Sequence, residues 1–296
     1  MERSGRQRVV VTGAGGQVGS EVCRELARRG HHAVALDHDT LDITDRESVR
    51  SAIFTAAPDA VVNAAAWTDV DGCEGDPDRA FAANALAVRH LVEACRGVAA
   101  HLTHISTDYV FDGTKAEPYG EWDQTNPLSM YGKSKRGGEL EIESAGISAT
   151  VVRTSWVCGQ VGHNLVRTVL RLASTLADDP MRTLAFVDDQ HGCPTFAADL
   201  AGPVAAMTIE RRPGLFHVTN QEPTTWFGFV QEILRVLGHD PDRVQAITTA
   251  DLHPPRPAPR PANSVLENAA MRASGLELLP SWRVSLPALL DALRAR

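Results

Sequence analysis

Short apolar runs alternate with longer segments of helical spacing from residue 8 to about residue 157. The runs are rich in β-branched and aliphatic side chains, which is typical of strands buried on both faces of a parallel sheet. They predict strands over residues 8–12, 32–36, 60–63, 102–106 and 149–154. Apolar residues at spacings of three and four predict helices over residues 17–29, 45–56, 77–96 and about 129–144. This alternation predicts an α/β fold, a Rossmann-type doubly wound parallel sheet.

The pattern becomes less regular after Trp156. It still predicts helices over residues 164–177, 225–237 and 286–294 and a short strand over residues 215–219. Five prolines in the segment 253–261 favour an extended, stiff connector over a helix or a central strand. We therefore predict a smaller C-terminal α/β domain behind the parallel sheet.

Composition and charge narrow the class of protein. A hydrophobic content of 43% and a charged content of 22% are ordinary for a globular chain, and no apolar stretch is long enough to span a membrane. The net charge of −8 argues against nucleic acid or an anionic membrane as a partner. Residues 1–8 lack the apolar middle of a secretory signal, so we expect a cytoplasmic protein.

Cysteine usage bears on metals and disulfides. The five cysteines are widely scattered and include no CxxC pair. An odd number without such pairs argues against a disulfide framework and against a zinc site. We expect free thiols and no metal held by cysteine.

A glycine-rich turn follows the first predicted strand. Residues 12–19 read TGAGGQVG, which places Gly13, Gly16 and Gly19 at the spacing G-x-x-G-x-x-G before a helix. Such a turn points free backbone N–H groups and the positive end of the helix dipole at a ligand, and glycine allows a pyrophosphate to approach closely. The turn therefore predicts a bound dinucleotide.

Residues at the ends of the second and third strands extend this site. Asp37 closes the second strand, where an acid accepts hydrogen bonds from the adenosine ribose, which favours NAD and leaves NADPH open. Asp42 is a candidate contact to the adenine, or else part of a polar turn before a helix. The small residues Ala65 and Ala66 let a cofactor pass close to the backbone.

The domain prediction follows from the position of this turn. Residues 1–158, with a returning segment near 185–222, are expected to form the dinucleotide-binding domain. Residues 159–184 and 223–296 are expected to form the substrate-binding domain. A bound substrate would then lie between the two.

A tyrosine and a lysine suggest the chemistry. Tyr131 and Lys135 stand at i and i+4, on one face of a predicted helix, and Thr107 follows the fourth strand at the sheet edge where such folds bind ligands. Carbonyl reduction needs a proton at the oxygen as hydride reaches the carbon, and a nearby ammonium would lower the pKa of a tyrosine. Asn84, in mid-helix, is either an ordering residue near this site or a surface residue.

With these motifs, the chain resembles the extended short-chain dehydrogenase/reductase family, and within it the dTDP-4-dehydrorhamnose reductases. The stretches that carry the resemblance are residues 12–19, 61–68, 106–111, 131–135, 153–157, 189–195, 224–226 and 260–264. The glycine turn and the tyrosine-lysine pair mark the superfamily, whereas the later stretches are more specific to the sugar reductases. The resemblance implies reversible hydride transfer between NADH or NADPH and the C4 ketone of a dTDP-4-keto-6-deoxyhexose.

The resemblance also implies residue roles. Tyr131 would be the acid, Lys135 its partner and Thr107 the residue that tunes it. Substrate contacts would be Thr107, Asp108, Trp156 and, at the diphosphate, Arg260. Cofactor contacts would be Gly13, Gly16, Gln17, Val18, Asp37, Asp42, Ala65 and Ala66, together with Tyr131 and Lys135.

One feature of the family does not transfer to this chain. Some members form magnesium-bridged dimers through glutamates of the C-terminal half, and Ala198 stands where one such glutamate is expected. Magnesium dependence and the choice between monomer and homodimer therefore stay open.

Three other functions share parts of these motifs. Sugar-nucleotide dehydratases follow their threonine with Asp-Glu, whereas this chain has Thr107-Asp108-Tyr109, which favours reduction. A 4-ketoreductase for another dTDP-deoxysugar of antibiotic biosynthesis, such as a dTDP-dihydrostreptose synthase, is the nearest alternative. A non-catalytic, NADP-binding regulatory subunit is an alternative of another class.

Overall fold

The computed structural model describes residues 5–176, 179 and 181–295. In chain order its strands are β1 (Arg8–Thr12), β2 (His32–Leu36), β3 (Ala60–Asn63), β4 (His101–Thr107), β5 (Ala149–Thr154), β6 (Val157–Cys158), β7 (Leu184–Val187), β8 (His191–Gly192), β9 (Thr195–Phe196), β10 (Gly214–His217), β11 (Thr224–Thr225) and β12 (Val244–Ile247). The five strands expected in the first half are confirmed, with β4 one residue longer at each end than predicted.

The helices are α1 (Gln17–Arg28), α2 (Arg46–Ala56), α3 (Val70–Gly75), α4 (Pro77–Phe81), α5 (Ala87–Val98), α6 (Met130–Ala145), α7 (Leu165–Leu176), α8 (Ala197–Ile209), α9 (Trp226–Val236), α10 (Ala269–Ala273) and α11 (Trp282–Arg294). Short 3₁₀ turns cover Asp108–Val110, Pro241–Arg243 and Thr249–Asp251. The helix predicted over residues 164–177 corresponds to α7, and its predicted last position, 177, lies outside the described residues. No helix of the described residues is both long and apolar enough to cross a bilayer.

Six parallel strands of the described chain form the central sheet, in the order β10-β5-β4-β3-β1-β2. The chain starts at β1, adds β2 on one side and then β3, β4 and β5 on the other. Ligands bind in such sheets where the strand order reverses, at the carboxyl ends of the strands. That point lies between β1 and β3, next to the glycine turn.

Helices cover both faces of this sheet, so the doubly wound architecture is confirmed. One face packs against α1 and α8 over a core that includes Val11, Val62 and Leu200. The other packs against α2, α5 and α6 over a core that includes Val61, Leu91 and Leu102. These core residues are at most a few per cent exposed, as the apolar strand pattern requires.

A third core lies beyond β5 and belongs to the smaller part. The parallel pair β7 and β12 packs with α7, α9 and α11 around Phe229, Ile233 and Trp282, all fully buried. In contrast, β10 returns to the central sheet and α8 packs on α1. The chain therefore leaves the large sheet after β5, contributes β7 to the smaller part and comes back.

The predicted helix 77–96 is divided into α4, a π-helical turn at Ala82–Leu86 and α5. Asn84 lies in this π turn and is 1% exposed. Its Oδ1 accepts from the backbone N–H of Trp67 at 2.9 Å, and its Nδ2 donates to Ser134 Oγ at 3.0 Å. The ordering role is therefore confirmed for Asn84 and the surface alternative is wrong, because this side chain joins the end of β3 to α6.

Candidate active site

A cleft of about 800 Å³ opens at the carboxyl ends of β1, β2 and β3. This volume suits a ligand the size of a dinucleotide. Six of the predicted cofactor residues line it, namely Gly13, Gly16, Asp37, Asp42, Ala65 and Ala66. The glycine turn, the acidic end of β2 and the small residues after β3 are thus brought to one site.

The glycines of the turn allow two close approaches. Gly13 has a φ of +67°, and a Cβ there would lie 2.6 Å from the backbone nitrogen of Ala65. A Cβ on Gly19 would lie 2.2 Å from Gly13 O, so this glycine lets α1 pack against the turn. Gly16 caps α1 without a side-chain hydrogen bond, which leaves the first N–H groups of the helix for a ligand. This cradle fits a pyrophosphate.

Gln17 and Val18 open α1, but their side chains turn away from the cleft. Val18 packs into the core beneath the sheet. Gln17 Nε2 donates to His163 O at 3.3 Å, and Gln17 Oε1 accepts from Asn164 Nδ2 at 2.9 Å. Only the backbone N–H groups of these two residues face a phosphate at the helix N-terminus.

Two of the three acids that line the cleft, Asp37 and Asp42, are held by local hydrogen bonds. Asp37 Oδ1 accepts from the Thr40 hydroxyl at 2.8 Å and from the Thr40 backbone N–H at 3.1 Å, and these bonds lower the pKa of Asp37. Asp42 Oδ1 accepts from the hydroxyl and N–H of Thr44 at 2.7 and 2.8 Å. Asp42 therefore shapes a polar turn while it lines the cleft.

Sequence reasoning missed a cation in this cleft. Arg79 of α4 lines it, and its guanidinium carbon lies 4.3 Å from the centre of the Trp67 ring. His38 lines the same cleft. The two residues come from elements about 40 positions apart in the chain, so no local motif could have paired them.

Tyr131, Lys135 and Thr107 converge where β4 meets α6. Ser129 caps α6 by accepting from the N–H of Gly132 at 3.1 Å, which places Tyr131 in the first turn of the helix. The Tyr131 hydroxyl shares a hydrogen bond with Thr107. The Thr107 hydroxyl in turn donates to Asp108 Oδ1 at 3.0 Å. The Thr107 hydroxyl therefore links Tyr131 to Asp108.

The pKa expected for Tyr131 is corrected by the structure. Burial raises the pKa of Tyr131 above its ordinary value, and the hydrogen bond with Thr107 opposes that rise only in part. Lys135 is 2% exposed and donates to Ile105 O at 2.6 Å. Among the described residues, its hydrogen bonds do not reach Tyr131. Tyr131 is thus a protonated phenol at neutral pH.

Burial also shifts the two other ionisable groups of the site. It lowers the pKa of Lys135 to about 8, against the opposing charge of Glu139. It raises the pKa of Asp108 to about 6, against hydrogen bonds from Ser264 and Thr107. Both shifts disfavour the charged form, as desolvation requires.

Trp156 and Arg260 are both engaged in contacts. Trp156 stacks on Trp226 with ring centres 3.5 Å apart, and a Cβ on Gly192 would meet its indole at 2.4 Å. Arg260 forms two hydrogen bonds to the carboxylate of Asp71, at 2.6 and 2.7 Å, and a further bond with Tyr109. The charge of Arg260 is therefore paired with the carboxylate of Asp71 in this structure.

The proline segment 253–261 is anchored by the same aspartate. Asp71 Oδ1 also accepts from the backbone N–H of Ala258 at 3.1 Å, and Arg256 lies 3.5 Å from Asp71 Oδ2. Tyr109, which contacts Arg260, packs edge-on against Tyr131 with ring centres 5.7 Å apart. The segment is therefore tied to α3 beside Tyr131. Sequence reasoning missed Asp71.

Across residues 5–176, 179 and 181–295, no three His, Cys, Asp or Glu side chains gather as metal ligands.

Comparison with known proteins agrees with this geometry. Residues 7–295 match the protein family described as RmlD substrate binding domain. A dTDP-4-dehydrorhamnose reductase of Streptomyces griseus is 44% identical over 98% of this chain and 95% of its own length. A probable dTDP-4,6-dihydroxy-2-methyloxan-3-one 4-ketoreductase of Streptomyces antibioticus is 43% identical, over 94% of this chain and 93% of its own.

A solved structure shows the same fold with a cofactor. The dTDP-4-dehydrorhamnose reductase of Bacillus anthracis, in complex with NADP, superposes with a TM-score of 0.91. It is 32% identical and covers 97% of this chain and 99% of its own. The chain therefore belongs to the RmlD substrate-binding family, within the sugar-nucleotide reductases of the short-chain dehydrogenase type.

Proposed function

We propose that this chain reduces the C4 ketone of a dTDP-4-keto-6-deoxyhexose with NADH or NADPH. The first candidate is dTDP-4-dehydro-L-rhamnose, which would give dTDP-L-rhamnose. The observation that carries the proposal is the hydrogen-bonded set of Tyr131, Thr107 and Asp108 with the buried Lys135 on the same helix as Tyr131, in a chain that also forms a dinucleotide-sized cleft. The names of the relatives support the substrate class.

Tyr131 would supply the proton. When bound in the cleft, NAD(P)H supplies the hydride. The raised pKa of Tyr131 keeps its phenol protonated at neutral pH, which is the form that reduction consumes. Thr107 holds the Tyr131 hydroxyl in place by a hydrogen bond and donates a second hydrogen bond to Asp108. Lys135, one helical turn further on, has a pKa of about 8 and is mainly an ammonium at neutral pH, so it would return a proton to the Tyr131 phenolate after transfer.

The cleft supports both nicotinamide cofactors. Asp37 would accept from the hydroxyls of the adenosine ribose, which favours NADH. Asp37 already accepts two hydrogen bonds from Thr40. The guanidinium of Arg79 and the imidazole of His38 line the same cleft. These features weaken the repulsion of a 2′-phosphate, so we propose that NADPH is also accepted.

Four residues would contact the sugar nucleotide, and Thr107 is one of them. Asp108 lies beside Thr107 at the end of β4, and Trp156 follows β5 with one face on Trp226. Arg260 would meet the diphosphate by exchanging the carboxylate of Asp71 for a phosphate oxygen. Substrate entry would thus be coupled to movement of the segment 253–261.

We retain the domain division as a proposal. Residues 1–158 and the return near 185–222 would bind the dinucleotide, and residues 159–184 and 223–296 would bind the substrate. The pairing of β7 with β12 changes this division at one point, because it moves residues 185–187 from the returning segment to the smaller domain. Magnesium dependence, the choice of monomer or homodimer and a cytoplasmic location stay predictions.

A second candidate is a 4-ketoreductase for another dTDP-deoxysugar. The relative from Streptomyces antibioticus, a probable 4-ketoreductase of a different sugar, supports it at nearly the same identity. A non-catalytic regulatory subunit would bind cofactor and turn over none of these sugars. The intact set of Tyr131, Thr107 and Lys135 favours chemistry.

A panel of dTDP-4-keto-6-deoxyhexoses, each offered with NADH and with NADPH, tests the proposal. We expect cofactor oxidation with at least one sugar, and product stereochemistry by NMR identifies which. Cofactor binding without oxidation by any sugar of the panel would favour the regulatory alternative.

A further inference from the structure

The first turn of α6 is bound by an acid from a distant part of the chain. Like every α-helix, α6 begins with backbone N–H groups that have no partner inside the helix. Ser129 Oγ accepts from one of them, the N–H of Gly132, at 3.1 Å. The N–H of Met130, the first residue of α6, donates to Glu74 Oε1 at 2.7 Å. Glu74 lies in α3, 56 positions before Met130.

The chemistry of this bond makes it a strong one. A hydrogen bond with a carboxylate acceptor is shorter and stronger than one between neutral groups. The carboxylate of Glu74 also lies at the N-terminus of a 16-residue helix, where the helix dipole favours negative charge. Glu74 and Met130 are both half-buried, so water and salt screen the contact only in part. The contact is therefore suited to fix the position of one helix turn.

The helix that carries Glu74 is itself anchored. Cys73 of α3 is fully buried, so one side of this short helix lies against the protein interior. Asp71, three positions before Glu74, binds Arg260 through both carboxylate oxygens. Helix α3 is thus held by the interior and by the segment 253–261. Glu74 therefore reaches α6 from a fixed position.

Tyr131 stands between two residues that are held from outside α6. Met130, directly before it, is bound by Glu74. Gly132, directly after it, packs closely on the turn that follows β4, since a Cβ on Gly132 would lie 2.2 Å from Tyr109 O. The backbone from which the Tyr131 side chain extends is therefore fixed at both neighbouring positions.

We propose that Glu74 is a positioning residue for Tyr131. By holding the N–H of Met130, Glu74 fixes the first turn of α6 at the place from which the Tyr131 hydroxyl reaches Thr107 and a ketone oxygen. It acts through the backbone of α6 and not by contact with substrate or cofactor. The functional meaning of this role rests on the proposed reduction, in which Tyr131 supplies the proton.

The rest of α6 is held independently of Glu74. Glu139, about two turns after Tyr131, binds Arg153 of β5 and Ser106 of β4. Loss of the Glu74 contact should therefore release the first turn without unfolding the helix. A displacement of about 1 Å at a reacting group can cost roughly 100-fold in rate. A small shift of this turn is thus enough to slow proton transfer.

Steady-state kinetics with dTDP-4-dehydro-L-rhamnose and NADPH separate this bond from a general loss of structure. Glu74→Ala removes the acceptor. We expect its kcat to fall about 10-fold, while the KM for the sugar and the Kd for NADPH stay within about 2-fold of wild type. Glu74→Gln keeps an oxygen that can accept from Met130, so its kcat should return to within about 3-fold of wild type.

Asp240→Ala is the matched control. It also removes a carboxylate that accepts from a backbone N–H, that of Asp242 at 2.9 Å, but at the 3₁₀ turn Pro241–Arg243 of the smaller part. Its kcat should match the wild type, because no residue of this turn lies on α6.

The position of Tyr131 can also be followed without substrate. The chain has three tyrosines, so the full protein labelled with [¹³Cζ]-tyrosine gives three NMR signals, which Tyr131→Phe and Tyr119→Phe assign. We expect Glu74→Ala to move the Tyr131 signal. The Tyr119 signal should stay in place, because Tyr119 stacks on Phe111 away from α6. In Glu74→Gln the Tyr131 signal should lie close to its wild-type position.

An unmoved Tyr131 signal in Glu74→Ala overturns the proposal, as do equal losses of kcat in Glu74→Ala and Glu74→Gln. If Glu74→Ala does not fold, Glu74→Asp takes its place, since its shorter side chain keeps the charge and displaces the contact with Met130. The Tyr131 signal of Glu74→Asp must then move. The NMR measurement needs no substrate, so it separates a failure of this inference from a failure of the proposed sugar reduction.

Discussion

The Tyr131 side chain is half-buried, and two neighbours contact it directly. Its ring packs edge-on against Tyr109, and its hydroxyl is bound by Thr107. Burial keeps the pKa of Tyr131 high, so the residue holds its proton until a ketone oxygen accepts it. Burial also lowers the pKa of Lys135, to about 8. The site is thus poised for proton donation.

Replacing Tyr131 with phenylalanine removes the proton and leaves the cleft intact. We expect Tyr131→Phe to bind NADPH within a few-fold of wild type and to lose roughly 10²- to 10⁴-fold in kcat. Fluorescence titration with NADPH and steady-state turnover measure the two quantities. Tyr119→Phe is the control, since Tyr119 stacks on Phe111 away from this helix. A Tyr131→Phe enzyme of near-normal kcat contradicts the role of Tyr131.

The site residues that the sequence predicted share one property. Tyr131, Lys135 and Thr107 lie at a strand end or in a helix turn, where the local pattern determines their position. Asp71 and Glu74 could not be found this way. Asp71 acts on Arg260, 189 positions along the chain, and Glu74 acts on Met130, 56 positions along it.

Helix α6 is held against the sheet by an ion pair. Glu139 and Arg153 have side chains 1% and 3% exposed, and Ser106 donates to the same carboxylate at 2.6 Å. Lys135 and Tyr131 lie on the same helix as Glu139. The contacts of Glu139 with Arg153 of β5 and Ser106 of β4 therefore fix the distance of both residues from the sheet. A buried pair of this kind is costly to break, since the remaining charge has no partner.

We expect Glu139→Gln to lower the free energy of unfolding by about 3–5 kcal/mol. Urea denaturation followed by circular dichroism measures the loss. Glu141→Gln is the matched control on the same helix. Its partner Arg89 is half exposed, so the change should stay within about 1 kcal/mol. Equal effects of the two substitutions would show that the burial of Glu139 does not matter.

The segment 253–261 has no helix or strand, and its contacts to Asp71 hold it beside the site. We expect Asp71→Asn to speed hydrogen exchange at the Ala258 amide, because the amide loses a charged acceptor. Exchange measured by mass spectrometry checks this. Asp78→Asn, at an exposed position of α4, is the control. Unchanged protection at Ala258 in Asp71→Asn would mean that the segment is held by other contacts.

Among the elements that differ from the expected pattern, two show the physical reason clearly. Helix α8 was not predicted, since it contains Pro203 and is apolar on most of its surface. Helix α8 packs against both α1 and the sheet, so it is buried on several sides. It therefore lacks the polar face that identifies an amphipathic helix. The π turn at Ala82–Leu86 follows from the contact of Asn84 with Ser134 and Trp67, which lie far away in the chain.

Across the whole molecule, three fully buried histidines couple stability to pH. Burial lowers the pKa of His101 to about 4 and of His217 to about 3, and holds the pKa of His104 well below its usual range. Unfolded histidine binds a proton below about pH 6.5. The unfolded chain therefore binds more protons than the folded chain as pH falls below that value, and stability is lost. Asp108 opposes this loss of stability. Its pKa is raised to about 6 in the folded chain, so the folded chain binds one proton there that the unfolded chain does not.

Lowering the pH from 6 to 5 should thus reduce the free energy of unfolding. A net difference of about two protons, at about 1.4 kcal/mol per proton and pH unit, gives a loss of roughly 2–3 kcal/mol. Denaturation curves at pH 7, 6 and 5 measure it. His101→Gln removes one of the three histidines, so its loss over the same interval should be smaller. Constant or rising stability on acidification contradicts this linkage.

The central claim is that this chain transfers a hydride from a nicotinamide cofactor to C4 of a dTDP-4-keto-6-deoxyhexose while Tyr131 supplies the proton. The most direct test uses NADPH deuterated at nicotinamide C4 on the transferred face, with product examined by NMR. The account predicts one deuterium at C4 of the reduced sugar in wild type, and almost none in Tyr131→Phe over the same time. Deuterium at another sugar carbon, or bound cofactor that never loses its deuterium to any sugar of the panel, would contradict it.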